Sequence, residues 1–268
     1  MILNYSSFIC PICGSRLFIL ENAYRCFKGH SFDKARQGYV NLLLQNGSGK
    51  RHGDDKLMVL ARRSFLEKGH YEKLRNKINA VIGEGYTVLD SGCGEGYYTA
   101  KFSEKNKVLG IDISKDAIKF AASQCKNSEF AVASISSLPI ENCSVDKVVA
   151  IFSPDAPDEF SRVLKPKGRL ITVTPMENHL FELKSAVYDK PYLNPKPNLQ
   201  KSKFKVLNTC EVKYKIKLDN NEDIINLFKM TPYYYKTSAE DQEKLTKISS
   251  LTTSLEFIIT EYEKEPSL

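Results

Sequence analysis

The chain has 268 residues, seven cysteines and a formal net charge of +7, enough length for one sizeable core and a small accessory unit. An odd number of scattered cysteines argues against a disulfide framework. The apolar runs are short and broken by charge, so no membrane partner is expected and a cytoplasmic location is; the basic balance permits approach to polyanions and says nothing finer.

The amino-terminal region reads Cys10-Pro-Ile-Cys13 and then Cys26-Phe-Lys-Gly-His30. Two residues between the first pair let both sulfurs face one ion, and Cys26 with His30 supplies a second pair after a stretch long enough for a β-hairpin. Cys10, Cys13, Cys26 and His30 form the closed Cys3His set that zinc takes tetrahedrally in structural sites. Phe8, Phe18, Tyr24, Phe27 and Phe32 are expected to build a miniature core around it, which a segment this short holds only with a metal staple. Cys93, Cys125, Cys143 and Cys210 stand apart and read as buried thiols.

Gln45 to Asp54 is polar, glycine-rich and without hydrophobic period, the composition of a connection. The expected organisation is a zinc-binding module over 1–44, a linker over 45–54 and a large domain over 55–268. Lys50, Arg51, Arg62 and Arg63 on the linker and first helix are candidate phosphate contacts.

Leu57, Leu60, Ala61 and Phe65, and then Tyr71, Leu74, Ile78 and Val81, recur at helical spacing on either side of Gly69. Strand-like runs follow at Tyr86 to Leu89, Lys107 to Ile111, Phe130 to Ala133, Asp146 to Phe152 and Arg169 to Thr174, with helical segments between several of them. That alternation predicts an α/β fold with a parallel sheet covered on both faces.

Between the first of these strands and a helix beginning near Tyr97 lies Asp90-Ser-Gly92-Cys-Gly94-Glu-Gly96. Its glycines let backbone approach a ligand at the carboxyl edge of the sheet, and the G-x-G-x-G spacing after an acid departs from the dinucleotide fingerprint. Asp112, ending the next strand, is positioned to accept both ribose hydroxyls of a nucleoside. Together they point to S-adenosylmethionine, whose ammonium group suits Asp90 or Glu95.

Methyl transfer depends mainly on holding the nucleophile in line with the methyl group. Ser153, Asp155 and Asp158 follow the fourth strand, and Asp155 is the candidate for accepting a proton from the target base. Tyr97, Tyr98 and Tyr233 to Tyr235 read as core or rim residues that are also able to stack a base. Residue types alone leave open a small-molecule methyltransferase with a structural zinc appendage, and a non-catalytic zinc RNA-binding protein.

The chain resembles the bacterial 23S ribosomal RNA guanine-N1 methyltransferases of the RlmA type over almost its whole length. The resemblance is carried by Cys10 to Cys13, Cys26 to Asp33, Gly38 to Leu42, Ala61 to Arg63, Gly69 to Tyr71, Leu89 to Tyr98, Asp112 to Lys115, Phe152 to Pro154, Pro175 to Leu180 and Met230 to Pro232. It implies a Rossmann-like S-adenosylmethionine-dependent methyltransferase domain, with a zinc module that helps to recognise a 23S hairpin. It also implies a homodimer and places Tyr71 and His179 beside the cofactor. Ser91 departs from the aliphatic residue usual after the motif acid, and Ala133-Ser134 stand where many methyltransferases carry an adenine-side acid.

Overall fold

The computed structural model describes residues 4–44 and 53–266. The small amino-terminal sheet is antiparallel, with order β1 (Asn4–Ile9), β2 (Arg16–Ile19), β3 (Ala23–Arg25) and β4 (Ser31–Asp33). The rest builds one eight-stranded sheet in the order β11-β12-β10-β9-β6-β7-β8-β5. In chain order its members begin with β5 (Val40–Asn41), β6 (Thr87–Ser91), β7 (Lys107–Asp112), β8 (Glu129–Val132) and β9 (Val145–Ile151). They continue with β10 (Leu164–Pro175), β11 (Phe204–Leu218) and β12 (Leu251–Lys264). The helices are α1 (Lys56–Glu67), α2 (Glu72–Ile82), α3 (Tyr97–Phe102), α4 (Lys115–Gln124), α5 (Pro157–Val163), α6 (Phe181–Val187), α7 (Asn221–Lys229) and α8 (Ala239–Thr246). Among the described residues no helix is long and apolar enough to cross a membrane.

The six strands from β5 to β10 run parallel, whereas β12 pairs antiparallel with β10 and with β11. The sheet is therefore mixed rather than parallel throughout. Val88 and Leu89 of β6 and Val148 and Val149 of β9 are wholly buried, as central parallel strands covered on both faces require. Helix starts follow from side-chain caps: Asp55, Ser114, Asn220 and Ser238 accept from backbone N–H groups in the first turns of α1, α4, α7 and α8. In α1 the buried residues are Met58, Val59, Ala61, Phe65 and Leu66, while Leu57 and Leu60 face outward. Apolar residues occupy every position from 57 to 61, so periodicity alone does not fix the inward face.

The amino-terminal module does not close a core of its own. Phe8, Leu17, Tyr24, Cys10 and Cys26 share one buried cluster with Leu89, Leu109, Ile140 and Phe160 of the large sheet and its connections. Phe27 remains 69% exposed, its ring tilted at 44° against Phe18, which corrects the expected self-contained aromatic core. Polar contacts reinforce the seam. Glu129 on β8 accepts from the Ser6 hydroxyl at 2.7 Å, the Ser7 hydroxyl at 2.7 Å and the Ser7 N–H at 3.1 Å, and Ile9 N–H donates to the Pro139 carbonyl. Val40 and Asn41, within the module by sequence, are the edge strand of the large sheet by hydrogen bonding. Of the four isolated cysteines, Cys93 and Cys125 are buried as expected, but Cys143 is exposed and Cys210 partly so.

Glu129→Ala should loosen this seam. Removing a carboxylate that accepts three short hydrogen bonds should cost about 2 kcal/mol, seen in thermal unfolding as a drop of roughly 4–8 °C in Tm.

Candidate functional site: a glycine-loop cavity and a Cys3His cluster

The two cysteine-bearing turns bring four donors together. Cys10 Sγ lies 3.5 Å from His30 Nδ1, Cys26 Sγ lies 3.4 Å from the same nitrogen, and Cys13 Sγ lies 3.7 Å from Cys26 Sγ. All four ligand atoms are within 4.8 Å of one another. A tetrahedral ion with metal–sulfur bonds of about 2.3 Å has edges near 3.8 Å, so the spacing and the soft donor set fit zinc, with all four positions filled by protein. Hydrogen bonding to Ser15 pulls the Cys13 thiol down to about 6, toward the thiolate that binds metal.

A cavity of about 1040 Å³ opens at the carboxyl ends of β6, β7, β9 and β10, the edge at which open α/β sheets bind ligands. The loop after β6 forms its floor with Gly92, Gly94 and Glu95, β7 contributes Asp112, and β9 runs out into Phe152 and Ser153. Helix α1 covers one side with Met58, Arg62 and Leu66, and the segment from Met230 to Lys236 covers another.

Glycine is required at two places in the loop for different reasons. Gly92 has φ +80°, and a Cβ there would run into the Ser153 side chain that borders the same cavity. Gly96 has φ +91°, and its Cβ would lie 2.9 Å from the Ala121 Cα. Gly96 is absent from the cavity wall; it lets α3 start close against α4.

Asp112 serves the loop before it serves any ligand. One carboxylate oxygen accepts from Gly94 N–H at 2.9 Å and the other from Ser114 N–H at 2.8 Å. Each oxygen keeps acceptor capacity toward the cavity, which suits a pair of vicinal hydroxyls. Burial raises the pKa values of Asp90, Glu95 and Asp112, that of Asp90 to about 7 even though the Thr99 hydroxyl donates to it at 2.6 Å. Three acids held out of water in one cavity favour a cationic guest.

Tyr71 and His179 both border the cavity. The His179 Nδ1 accepts from the Glu256 N–H at 3.3 Å, and burial drops the ring's pKa to about 3. The imidazole is thus neutral with its proton on Nε2. Tyr98 Oη and Ser153 Oγ are buried on the cavity wall without a hydrogen-bond partner among the described residues, and unpaired buried hydroxyls are what a polar guest would satisfy. The donor set and the orphaned hydroxyls together fit a nucleoside carrying a cationic tail.

Other sequence candidates fall elsewhere. Asp155 is outside the cavity wall, on the surface and ion-paired with Lys201, and Asp158 is exposed and paired with Lys203. Lys50 and Arg51 lie outside the described residues. Arg63 pairs with Glu67 across one helical turn. Arg62, a candidate phosphate contact by sequence, lines the cavity and pairs with Asp54. Of the tyrosines, Tyr98, Tyr233 and Tyr235 line the cavity, whereas Tyr97 sits under Arg75 and Tyr234 packs on Phe228. Phe152, a strand end to which the sequence assigns no site role, adopts φ +54° and stays 45% exposed at the cavity. A non-glycine residue in that region is strained, and an aromatic ending a strand gives no sign of it.

Comparison with known proteins agrees with both halves of this geometry. Residues 8–46 match the family model described as "RlmA, N-terminal", and residues 82–217 match "Methyltransferase domain". The chain is 37% identical over 188 residues to the 23S rRNA (guanine(748)-N(1))-methyltransferase of Streptomyces fradiae, covering 66% of each. It is 36% identical over 203 residues to YxjB of Bacillus subtilis (strain 168), a candidate 23S rRNA (guanine-N(1)-)-methyltransferase, covering 70% of this chain and 71% of that one. The matched stretch spans about two thirds of the relatives' own length. A candidate methyltransferase from Bacillus halodurans C-125 superposes with a TM-score of 0.51 at 15% identity, over 72% of this chain and 99% of that one, a likeness of fold.

Two outcomes are expected. Metal analysis of Cys26→Ala should find zinc lost from a wild-type value near one ion per chain; its Tm should fall as well, because the module and the large sheet share apolar residues. The second concerns Asp90, protonated below pH 7 in the free protein. A guest bringing an ammonium group must then displace that proton, so its affinity should fall by up to about tenfold per pH unit below 7 and level off above. Calorimetry against pH should show the trend, and Asp90→Asn should flatten it.

Proposed function

We infer that this chain, which belongs to the 23S rRNA (guanine-N1)-methyltransferase family, methylates N1 of a guanine in 23S ribosomal RNA using S-adenosylmethionine. The observation that supports this most is the joining, on one chain, of the zinc ribbon to a cavity floored by the glycine loop and by Asp112. When bound, the cofactor supplies a methyl group on a positively charged sulfur.

We assign the binding roles by chemistry. Asp112 accepts the ribose hydroxyls; Asp90 and Glu95 favour the ammonium end; Gly92 and Gly94 allow the backbone close; Tyr71 and His179 border the cofactor, while Gly96 supports the loop through helix packing. Phe152, Tyr233 and Tyr235 offer aromatic faces to a base drawn out of its stack. As N1 gives up its proton to solvent water, charge develops on the neighbouring oxygen of guanine, and a fixed donor there lowers the barrier. Ser153, whose hydroxyl has no partner among the described residues, is our assignment for that donor. Asp155, tied to Lys201 outside the wall, would have to break an ion pair before it took up a proton. RNA reaches the site through phosphate contacts with the basic surface, consistent with the net charge of +7. The finer reading is a hairpin substrate, a homodimer whose paired zinc modules help to grip it, and a cytoplasmic location alongside ribosomes.

The test is primer extension on 23S RNA treated with the protein and cofactor. A methyl group at guanine N1 blocks pairing, so reverse transcriptase should stop at one guanine; methylation with no stop would place the methyl group on another atom. In the same assay Asp155→Asn should keep its rate within about threefold, whereas loss of a working general base would cost on the order of 100-fold or more.

A further inference from the structure

We propose that Arg62 reads the carboxylate at the amino-acid end of the cofactor, and so sets the preference for nucleosides that carry this group. This rests on the functional reading above and deepens its cofactor site.

The cavity's charges make such a residue necessary. Asp54, Asp55, Asp90, Glu95 and Asp112 all line it, and the only cations among its described lining residues are Arg62 and Lys236. An amino-acid tail is a zwitterion. Its ammonium is welcome among these acids, but its carboxylate, fixed a bond or two away, is repelled by each of them that is ionised. A cation within the same acidic group must receive it.

Arg62 sits there. Although burial works against its charge, Asp54, Glu95 and Asp112 act on it closely enough to keep it protonated. Lys236 belongs instead to the segment after Tyr235, whose hydroxyl bonds Asp55 at the start of α1. The Arg62 side chain keeps 24% of its surface accessible, and it lines the cavity. Of its five N–H donors, one Nη1 bond goes to Asp54 and one long contact of 3.4 Å runs from Nη2 to the Met230 carbonyl. The remaining donors suffice for the paired hydrogen bonds that a guanidinium makes with a carboxylate. The helix also explains the placement: Met58, Arg62 and Leu66 recur every fourth residue, so the stripe that carries the two apolar neighbours into the cavity carries the guanidinium between them.

The competing account is that Arg62 only ties Asp54 and Met230 together. Calorimetry separates the two with a pair of ligands: S-adenosylhomocysteine and its decarboxylated analogue, which keeps the ammonium. Wild-type protein should prefer the former by about 10- to 100-fold, the range expected for charge-assisted bonds. Arg62→Ala should bring the two within about threefold, mainly by weakening S-adenosylhomocysteine, and Arg62→Lys should fall between. An undiminished preference in Arg62→Ala, or none in wild type, overturns the proposal. Should Arg62→Ala lose its fold by circular dichroism, Arg62→Lys decides: its preference should shrink at least threefold, and an unchanged preference sinks the assignment. If wild type binds neither ligand, the cofactor reading itself fails and Arg62 falls with it; if it binds both and the variants keep the full preference, only Arg62 is wrong.

Discussion

The site depends on keeping three carboxyl groups out of water within one cavity. Asp90, Glu95 and Asp112 come from β6, the loop after it and the end of β7, and parallel pairing of β6 with β7 holds them at the same edge. Burial of like charges is costly, and the fold offsets it locally. Thr99 donates to Asp90, Gly94 and Ser114 donate to Asp112, and Arg62 reaches in from α1. What remains is a cavity whose electrostatics are incomplete without a positive guest. Affinity for a sulfonium nucleoside then follows from the same burial that makes the empty arrangement unfavourable.

Much of this was legible in residue order, because the responsible signals are local. Strands β6 to β9 announce themselves as short apolar runs, and the glycine loop lies between a strand and a helix where backbone approach is needed. The four metal ligands are spaced within two tight turns, and Asp112 needs only a strand end. Tyr71 and His179 were available through family resemblance alone, since each reads from its neighbours as an ordinary core or cap residue.

What escaped is tertiary. In β11 Lys213, Lys215 and Lys217 alternate with Val212, Tyr214 and Ile216, the pattern of a half-buried strand, but nothing local says that its partner is β12, whose buried residues follow no such alternation. Arg62 reads as a solvent-facing helix charge, and only the passage of α1 over the sheet edge turns it inward. Asp155 lies in the expected loop, but its side chain is drawn to Lys201 across 46 positions of sequence. The two-residue strand β5 is too short for any periodicity. In each case a distant element decides what the side chain meets.

The seam between the amino-terminal module and the large sheet carries a consequence for biosynthesis. Ser6 reaches its acceptor on Glu129 across 123 positions, and Phe8 pairs with Ile140. The cysteine turns close locally and can capture metal as soon as they leave the ribosome, but their apolar backing has not yet been synthesised. Until β8 and the loop after it emerge, Phe8, Leu17 and Tyr24 have nothing to pack against. Such long sequence separation slows folding and leaves sticky surface uncovered meanwhile. During that interval a metal held by the four ligands is the chief constraint on the module, since its apolar backing comes from residues more than a hundred positions away.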